Sequence, residues 1–321
     1  MFTTLGGTRN TASSAFHIAL FVFTSNGSPV GTTWSDCTLG FTYFGQGLSQ
    51  AETITLQGLI NDFQTTLGRN TYVSDAEAYL ADVVASGGTV DATMSAATIT
   101  LFNDLKTAGI YDKLFAFYPA IGGTASSHAI NAKLNKTYDL TFAGGWTHDV
   151  SGMTSNGSNA YADTNVTPQD LGTAGTGLDN HHMSSSASAN SVAGYEGAGP
   201  SPYMAQRMKS IQFLDAQSNT GTQTNYWTNV GWQCHNRFAN NDFNGWAQAD
   251  GGTLTELFTN SSTATSISSN NLYIGRISNT SFYSGNRYNF WTCGDGLTDA
   301  EIADLNTAIN TFNNSLSRRG W

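Results

Sequence analysis

Hydrophobic and polar positions follow two periods along this chain. Apolar residues at Leu56, Leu59, Ile60, Phe63 and Leu67 recur at helical spacing, and so do Leu305, Ala308, Ile309, Phe312 and Leu316 near the other end. Ser49 with Glu52, and Thr298 with Glu301, stand ahead of these stripes. In that pairing a hydroxyl and a carboxylate satisfy the orphan amides of a helix start. Ser74 with Glu77 repeats the signal before "AEAYLADVVASGG". A further helix is predicted from Thr93 or Ser95 through "AATITLFNDLKTAG", stopping at Gly109. Beyond "GIYDKLFAFYPAIGG" the pattern changes to short strands every eight to twelve residues, among them "TYDLTFAGG", "RMKSIQFLDA", "TNYWTNVGWQCHNRF", "LTELFTN" and "NLYIGRISN". The polar stretches "SGMTSNGSNAYADT" and "SSSASANSVAGYEGAGPSP" read as long loops. This rhythm predicts an all-β sandwich or barrel beyond the helices. The apolar run "AFHIALFVF" at residues 15–23 reads as one more buried strand. It is about half as long as a bilayer-crossing helix, and no cationic cluster of the kind an export signal carries precedes it beyond Arg9.

Compared with itself, the chain contains an echo. "FTYFGQGLSQAETITLQGLINDFQTTLGR" at residues 41–69 aligns without a gap on "FWTCGDGLTDAEIADLNTAINTFNNSLSR" at residues 290–318, with about a dozen of the twenty-nine positions identical. Gly45/Gly294, Gly47/Gly296, Leu48/Leu297, Glu52/Glu301, Leu56/Leu305, Phe63/Phe312 and Leu67/Leu316 are among them. The repeated unit is an aromatic strand, a tight glycine turn and a capped helix whose apolar stripe must lie on a sheet. The expected organisation is therefore a partial repeat over residues 1–70, a helical linker segment over 71–112 and a sandwich over 113–321. Two placements of the amino-terminal unit stay open. It packs on its own sandwich, or it supplies a strand and helix to a neighbouring subunit, since an unfinished sheet edge invites strand addition.

Charge narrows the function classes. Only 11% of residues are charged, against roughly 25% in an average soluble chain. The 13 Lys+Arg and 23 Asp+Glu leave a net charge of −10, which argues against nucleic-acid binding, because neutralising phosphates takes clustered cations. Cys37, Cys234 and Cys293 are far apart and lack C-x-x-C spacing, so neither a disulfide framework nor a structural zinc site is expected, and no pairing among them is favoured.

The pieces "DLKTAGIYDKL", "YPAIGGTASSHAINAK", "LTFAGGWTHDVSGMTSNGSNAYADT", "IGR" and "GLTDAE" carry a resemblance. Over roughly residues 74–321 the chain resembles a segment of virion proteins of tailed bacteriophages that leads into a concanavalin A-like (lectin/glucanase, LamG-like) jelly roll. The resemblance implies a mainly β fold, a two-sheet antiparallel β-sandwich with a few peripheral α-helices, in a structural protein exposed on the particle as a capsid-decoration, head-fibre or tail-adhesion subunit; a polysaccharide depolymerase or glycosidase, or a cellular secreted lectin-like adhesin, stands as the alternative. Its implied partners are other virion proteins, copies of itself and host-surface carbohydrate, with no membrane insertion. Many copies on one particle would turn weak glycan contacts into firm attachment.

Catalysis is not expected from the residues. The glucanase-type E-x-D-x-x-E pattern is absent, and Glu196, Glu256 and Glu301 are the only glutamates in the sandwich region. Neither a G-x-S-x-G elbow nor a phosphate-binding loop is present. His148 beside Asp149, and Asp179 with His181 and His182, could offer metal ligands, but adjacent histidines in a polar loop read more simply as solvated. No cofactor is expected; a structural calcium ion is compatible with such a fold but unsignalled. Sugar binding would use aromatic platforms beside Asn, Asp and Gln. The candidates are Trp146, His148, His182, Tyr195, Tyr203, Trp227 and Trp232; core packing is the better reading for Trp146, Trp227 and Trp232, inside strand-like runs, and Tyr195 and Tyr203 fit a surface loop.

Overall fold

The computed structural model describes residues 74–172, 180–188, 194–198, 204–208, 212–215, 219–222, 230–249, 251–261, 263, 268–277, 281 and 283–318, together with Leu56 and Leu59. The chain divides into two compact units, Met1–Val73 and Ser74–Trp321. In the first, Leu56 and Leu59 are helical, Leu56 half-buried and Leu59 exposed. The rest of the amino-terminal echo, Cys37 and the run at 15–23 lie outside the described residues.

The second unit opens with α1 (Asp75–Ala85) and α2 (Ala92–Thr107), followed by β1 (Leu114–Tyr118) and the single turn α3 (Ala125–His128). Strands β2 (Thr141–Ala143), β3 (Trp146–Asp149), β4 (Gly152–Ser155), β5 (Tyr161–Asp163), β6 (His181–Ser188), β7 (Gly194–Ala198) and β8 (Met204–Met208) come next. They lead to β9 (Gln212–Asp215), β10 (Asn219–Thr222), β11 (Val230–Ala239), β12 (Asp242–Ala249), β13 (Thr255–Asn260), β14 (Tyr273–Ile274), β15 (Arg287–Gly294) and the closing helix α4 (Asp299–Ser315). Ser74 and Thr298 form the expected capping boxes with Glu77 and Glu301. Helix α2 starts at Ala92, ahead of the predicted start at Thr93 or Ser95, because the Asp91 carboxylate caps it by accepting from Met94 N at 2.7 Å.

All strand pairs are antiparallel and form two sheets. The eight-stranded sheet runs β13-β12-β11-β6-β15-β4-β3, with β1 also pairing β15; the seven-stranded sheet runs β10-β9-β8-β7-β14-β5-β2. The first sheet is the middle layer. On one face Trp232, Cys234 and Phe290 pack under α1, α2 and α4 with Leu101, Leu305, Ile309 and Phe312. On the other, Met183, Ala187, Tyr288, Trp291 and Cys293 meet Ala162, Leu272 and Ile274 of the second sheet. The stretches read as long loops contain β4 and β5 in one case and parts of β6 and β7 in the other. Their strands are built largely of Ser, Thr, Asn and Gly, whose polarity gives the sequence no clear apolar alternation there.

His182 lies at the start of β6, just ahead of the second of these stretches. Its strand β6 is buried, and the ring is 0% exposed beneath the start of α4. The imidazole Nδ1 stands 2.6 Å from the Asp295 carbonyl oxygen, and Nε2 stands 3.2 Å from Thr292 Oγ1, which in turn lies 2.8 Å from Ser184 Oγ. A neutral ring donating from Nδ1 and accepting at Nε2 satisfies both contacts. His182 is therefore a packing element and not a sugar-facing residue. Its neighbour His181 points to the opposite face, also buried, with Nε2 3.3 Å from His235 Nε2. Neither ring is solvated.

The turn from β15 into α4 explains two of the echo's glycines. A Cβ on Gly294 would collide with the Lys113 carbonyl oxygen, and one on Gly296 with the Arg237 carbonyl oxygen. After α4 the chain returns Arg318 to the interior, 5% exposed. Its guanidinium donates to the carbonyls of Pro119 and Ala120 at 2.9 Å each and of Val150 at 3.1 Å. Ala120 is held at φ +45°, a left-handed conformation that a residue with a Cβ adopts only when its surroundings enforce it. Burial among neutral carbonyls lowers the Arg318 pKa to about 10, so the group stays cationic.

Two outcomes follow for urea denaturation. Arg318→Met leaves buried carbonyls unpaired and is expected to cost about 3 kcal/mol, and Gly296→Ala about 2–4 kcal/mol. Burial also lowers the His182 pKa to about 4, below the ordinary value of 6.5. The unfolded chain therefore takes up a proton that the folded chain refuses. Stability is full above about pH 6.5 and falls as pH drops towards 4, and His182→Gln should flatten that slope.

Candidate functional site

The outward face of the seven-stranded sheet gathers three tyrosines around one arginine. Along β5, Ala162 turns into the inter-sheet core while Tyr161 and Asp163 alternate outward. Along β14, Ile274 turns inward and Tyr273 outward, and the register places Tyr273 opposite Asp163. Tyr161 is the diagonal neighbour of Tyr273, which brings their rings into an offset stack with centroids 5.0 Å apart and planes 7° from parallel. The Arg276 guanidinium lies over this pair, 4.2 Å from the Tyr161 centroid, 4.9 Å from Tyr273 and 5.5 Å from Tyr283. Its Nη1 donates to the Tyr283 hydroxyl at 3.2 Å. All four side chains are half-buried.

Polar groups border the stack. Asn271 Nδ2 donates to both Asp163 carboxylate oxygens, at 2.9 and 3.1 Å, and Asn165 N donates to Oδ1 at 2.8 Å. Partial burial, and next the Asp163 charge, raise the Tyr273 pKa, so its phenol remains a hydrogen-bond donor. A flat aromatic and guanidinium surface beside a fixed carboxylate and amide can stack the C–H face of a sugar ring and bond its hydroxyls.

The sequence-derived candidates are distributed differently. Trp146 and His148 come together on β3, 6.2 Å apart by centroid. Trp146 Nε1 donates to the Ala143 and Tyr161 carbonyls at 3.1 Å each, and its ring packs against Phe142 and Tyr288 at the margin of the core. It therefore fastens β3 of one sheet to β5 of the other, directly behind Tyr161. His148 packs edge-on to Phe142, with Nδ1 2.9 Å from His128 Nδ1. Burial, reinforced by His148 and Arg318, drives the His128 pKa down to about 3. One ring of that pair donates and the other accepts. His182 is remote from both groups, under α4. Tyr195 lies in β7, in a strand and not the loop expected, but its side chain, and all of Tyr203 and Trp227, lie outside the described residues.

Sequence reasoning passed over Tyr161, Tyr273, Arg276 and Tyr283. The signal was present in "AYAD" and "LYIG", where a tyrosine occupies the outward position of an alternating strand. Among the described residues no group of three or more His, Cys, Asp or Glu could hold a metal ion, and no helix is long and apolar enough to cross a membrane.

No family model matches the chain, and no curated protein does. Among solved structures, a Trypanosoma rangeli sialidase in complex with sialic acid is similar at 10% identity and TM-score 0.43, over 63% of this chain and 34% of its own. Domain 4 of a GH43 extracellular arabinanase from Geobacillus stearothermophilus, in complex with arabinotriose, is similar at 11% identity and TM-score 0.42, over 60% of this chain and 98% of its own. A mutant GH54 α-L-arabinofuranosidase is similar at 10% identity and TM-score 0.41, over 61% of this chain and 47% of its own. The chain thus spans about a third of the length of the sialidase it matches. These similarities correct the expectation that the chain is not an enzyme, since the matched structures carry glycosidase names. At such identities and TM-scores they assign no reaction to this chain.

Proposed function

We propose that this chain is a carbohydrate-binding β-sandwich of the concanavalin A-like jelly-roll type, and that it works as an exposed structural subunit of a bacteriophage particle. The observation that carries the glycan reading is the Tyr161–Tyr273 stack under Arg276, bordered by the Asp163–Asn271 pair on an outward sheet face. Aromatic faces held rigid by their strands bind sugar rings with little entropy loss, and a carboxylate already fixed by an amide is ready to accept from sugar hydroxyls. Two stacked antiparallel sheets agree with the jelly-roll type. The virion assignment, including its surface location and its partnership with other virion proteins and copies of itself, rests on the sequence resemblance over roughly residues 74–321.

A glycan array with the full chain tests the binding. The wild type should retain a defined subset of glycans, and Tyr161→Ala/Tyr273→Ala should weaken each by about ten-fold or more, equivalent to about 1.4 kcal/mol, while circular dichroism shows the variant still folded. Retention unaffected by the double substitution, or no retention by the wild type, overturns the reading. Assay of released reducing ends on the retained glycans decides in the same experiment whether binding leads to cleavage.

A further inference from the structure

We infer that the tyrosine-lined site selects sugars bearing a carboxylate, with Arg276 as the residue that recognises the anion. This deepens the glycan-binding reading and rests on it. In a chain with 23 acidic and 13 basic residues, cations readily find a carboxylate, or, like the buried Arg318, a set of carbonyls. Lys106, Lys113 and Lys136 do so, with Asp75, Glu301 and Asp82, and Arg287 lies 3.9 Å from Asp149. Arg276 does not. Among the described residues no carboxylate lies within ion-pair distance of its guanidinium. The adjacent acid, Asp163, is engaged by Asn271 and by the Asn165 amide.

The guanidinium has five N–H donors in a rigid planar fork. One bonds the Tyr283 hydroxyl, and Nε is buried without a partner. The three tyrosine rings hold the plane in place through their π-faces, which attract the cation without consuming its N–H groups. The positive charge is thus fixed, partly desolvated and, among the described residues, without an ion-pair partner. An incoming carboxylate would supply that counter-charge in the bidentate geometry a guanidinium favours. The sugar ring that carries it, as in a uronic or sialic acid, would rest beside the Tyr161–Tyr273 stack, with its hydroxyls towards Asp163 and Asn271. A neutral sugar fills the same surface but leaves the cation unanswered.

The test compares one acidic oligosaccharide with its carboxyl-reduced form and with a sulfated neutral counterpart, by calorimetry on the full chain at two salt concentrations. The acidic form should bind about ten-fold more tightly than the reduced form, and raised salt should narrow the gap. Arg276→Gln should bring the acidic form down to the affinity of the reduced form, removing the preference, and Arg276→Lys should keep part of it, with folding of each variant checked by circular dichroism. Equal binding of acidic and reduced forms by the wild type, or a preference that survives in Arg276→Gln, overturns the inference and leaves the glycan reading standing. Tighter binding of the sulfated form than of the acidic form overturns the carboxylate assignment. If no form binds the wild type, both readings fall.

Discussion

Strand β15 is buried on both faces, and that double burial sets the register of the described fold. Phe290 and Thr292 face the helices, while Tyr288, Trp291 and Cys293 face the second sheet, with a bulge between Tyr288 and Phe290 restoring the alternation. A slip of one residue would exchange the two sets and send large aromatic rings into the wrong layer. The strand is followed by a turn whose glycines admit the carbonyls of Lys113 and Arg237, and by a helix whose capping Glu301 also pairs Lys113. Arg318 then ties the end of that helix back to Pro119, Ala120 and Val150. Residues 287–318 thereby join helices, middle sheet and inter-sheet loops in one continuous set of contacts.

The interior around this strand is unusually polar. Ser184, Ser185, Ser186, Thr292, Asn236, Asn313 and His182 are all buried. Uncharged groups of this kind are tolerated inside because they bond one another and the backbone, as Asn236 does with Asn244 and with the Leu297 carbonyl. This accounts for the low charge content better than a hydrophobic core alone. It also explains how "HHMSSSAS" forms a central strand while lacking any apolar period.

The candidate site shows the same limit from the other side. Tyr161 and Tyr273 are 112 positions apart in the chain (273 − 161), and each looks like an ordinary strand residue. Only the antiparallel pairing of β5 with β14 stacks their rings and sets Arg276 over both. The conspicuous residues went elsewhere. Trp146 became the fastening between two sheet edges, and His182 a hydrogen-bonded support under α4. Large or ionisable side chains attract attention as candidate chemistry, but the same size and hydrogen-bonding capacity suit them to filling and satisfying an interior.

The sequence by itself determined what depends on near neighbours. The capping boxes at Ser74 and Thr298, the apolar stripe of α4, the strand "RYNFWTCG" and the mainly β character all follow from spacings of a few residues. The echo at 45 and 47 singles out the glycines at 294 and 296, but the reason for them, the close approach of the Lys113 and Arg237 carbonyls, is tertiary. The tertiary structure alone decided which face of each strand is buried, which polar residues form the interior, and which tyrosines meet. Those outcomes depend on cross-strand register and on burial from two sides, and both come from segments distant in the chain, which local spacing does not encode.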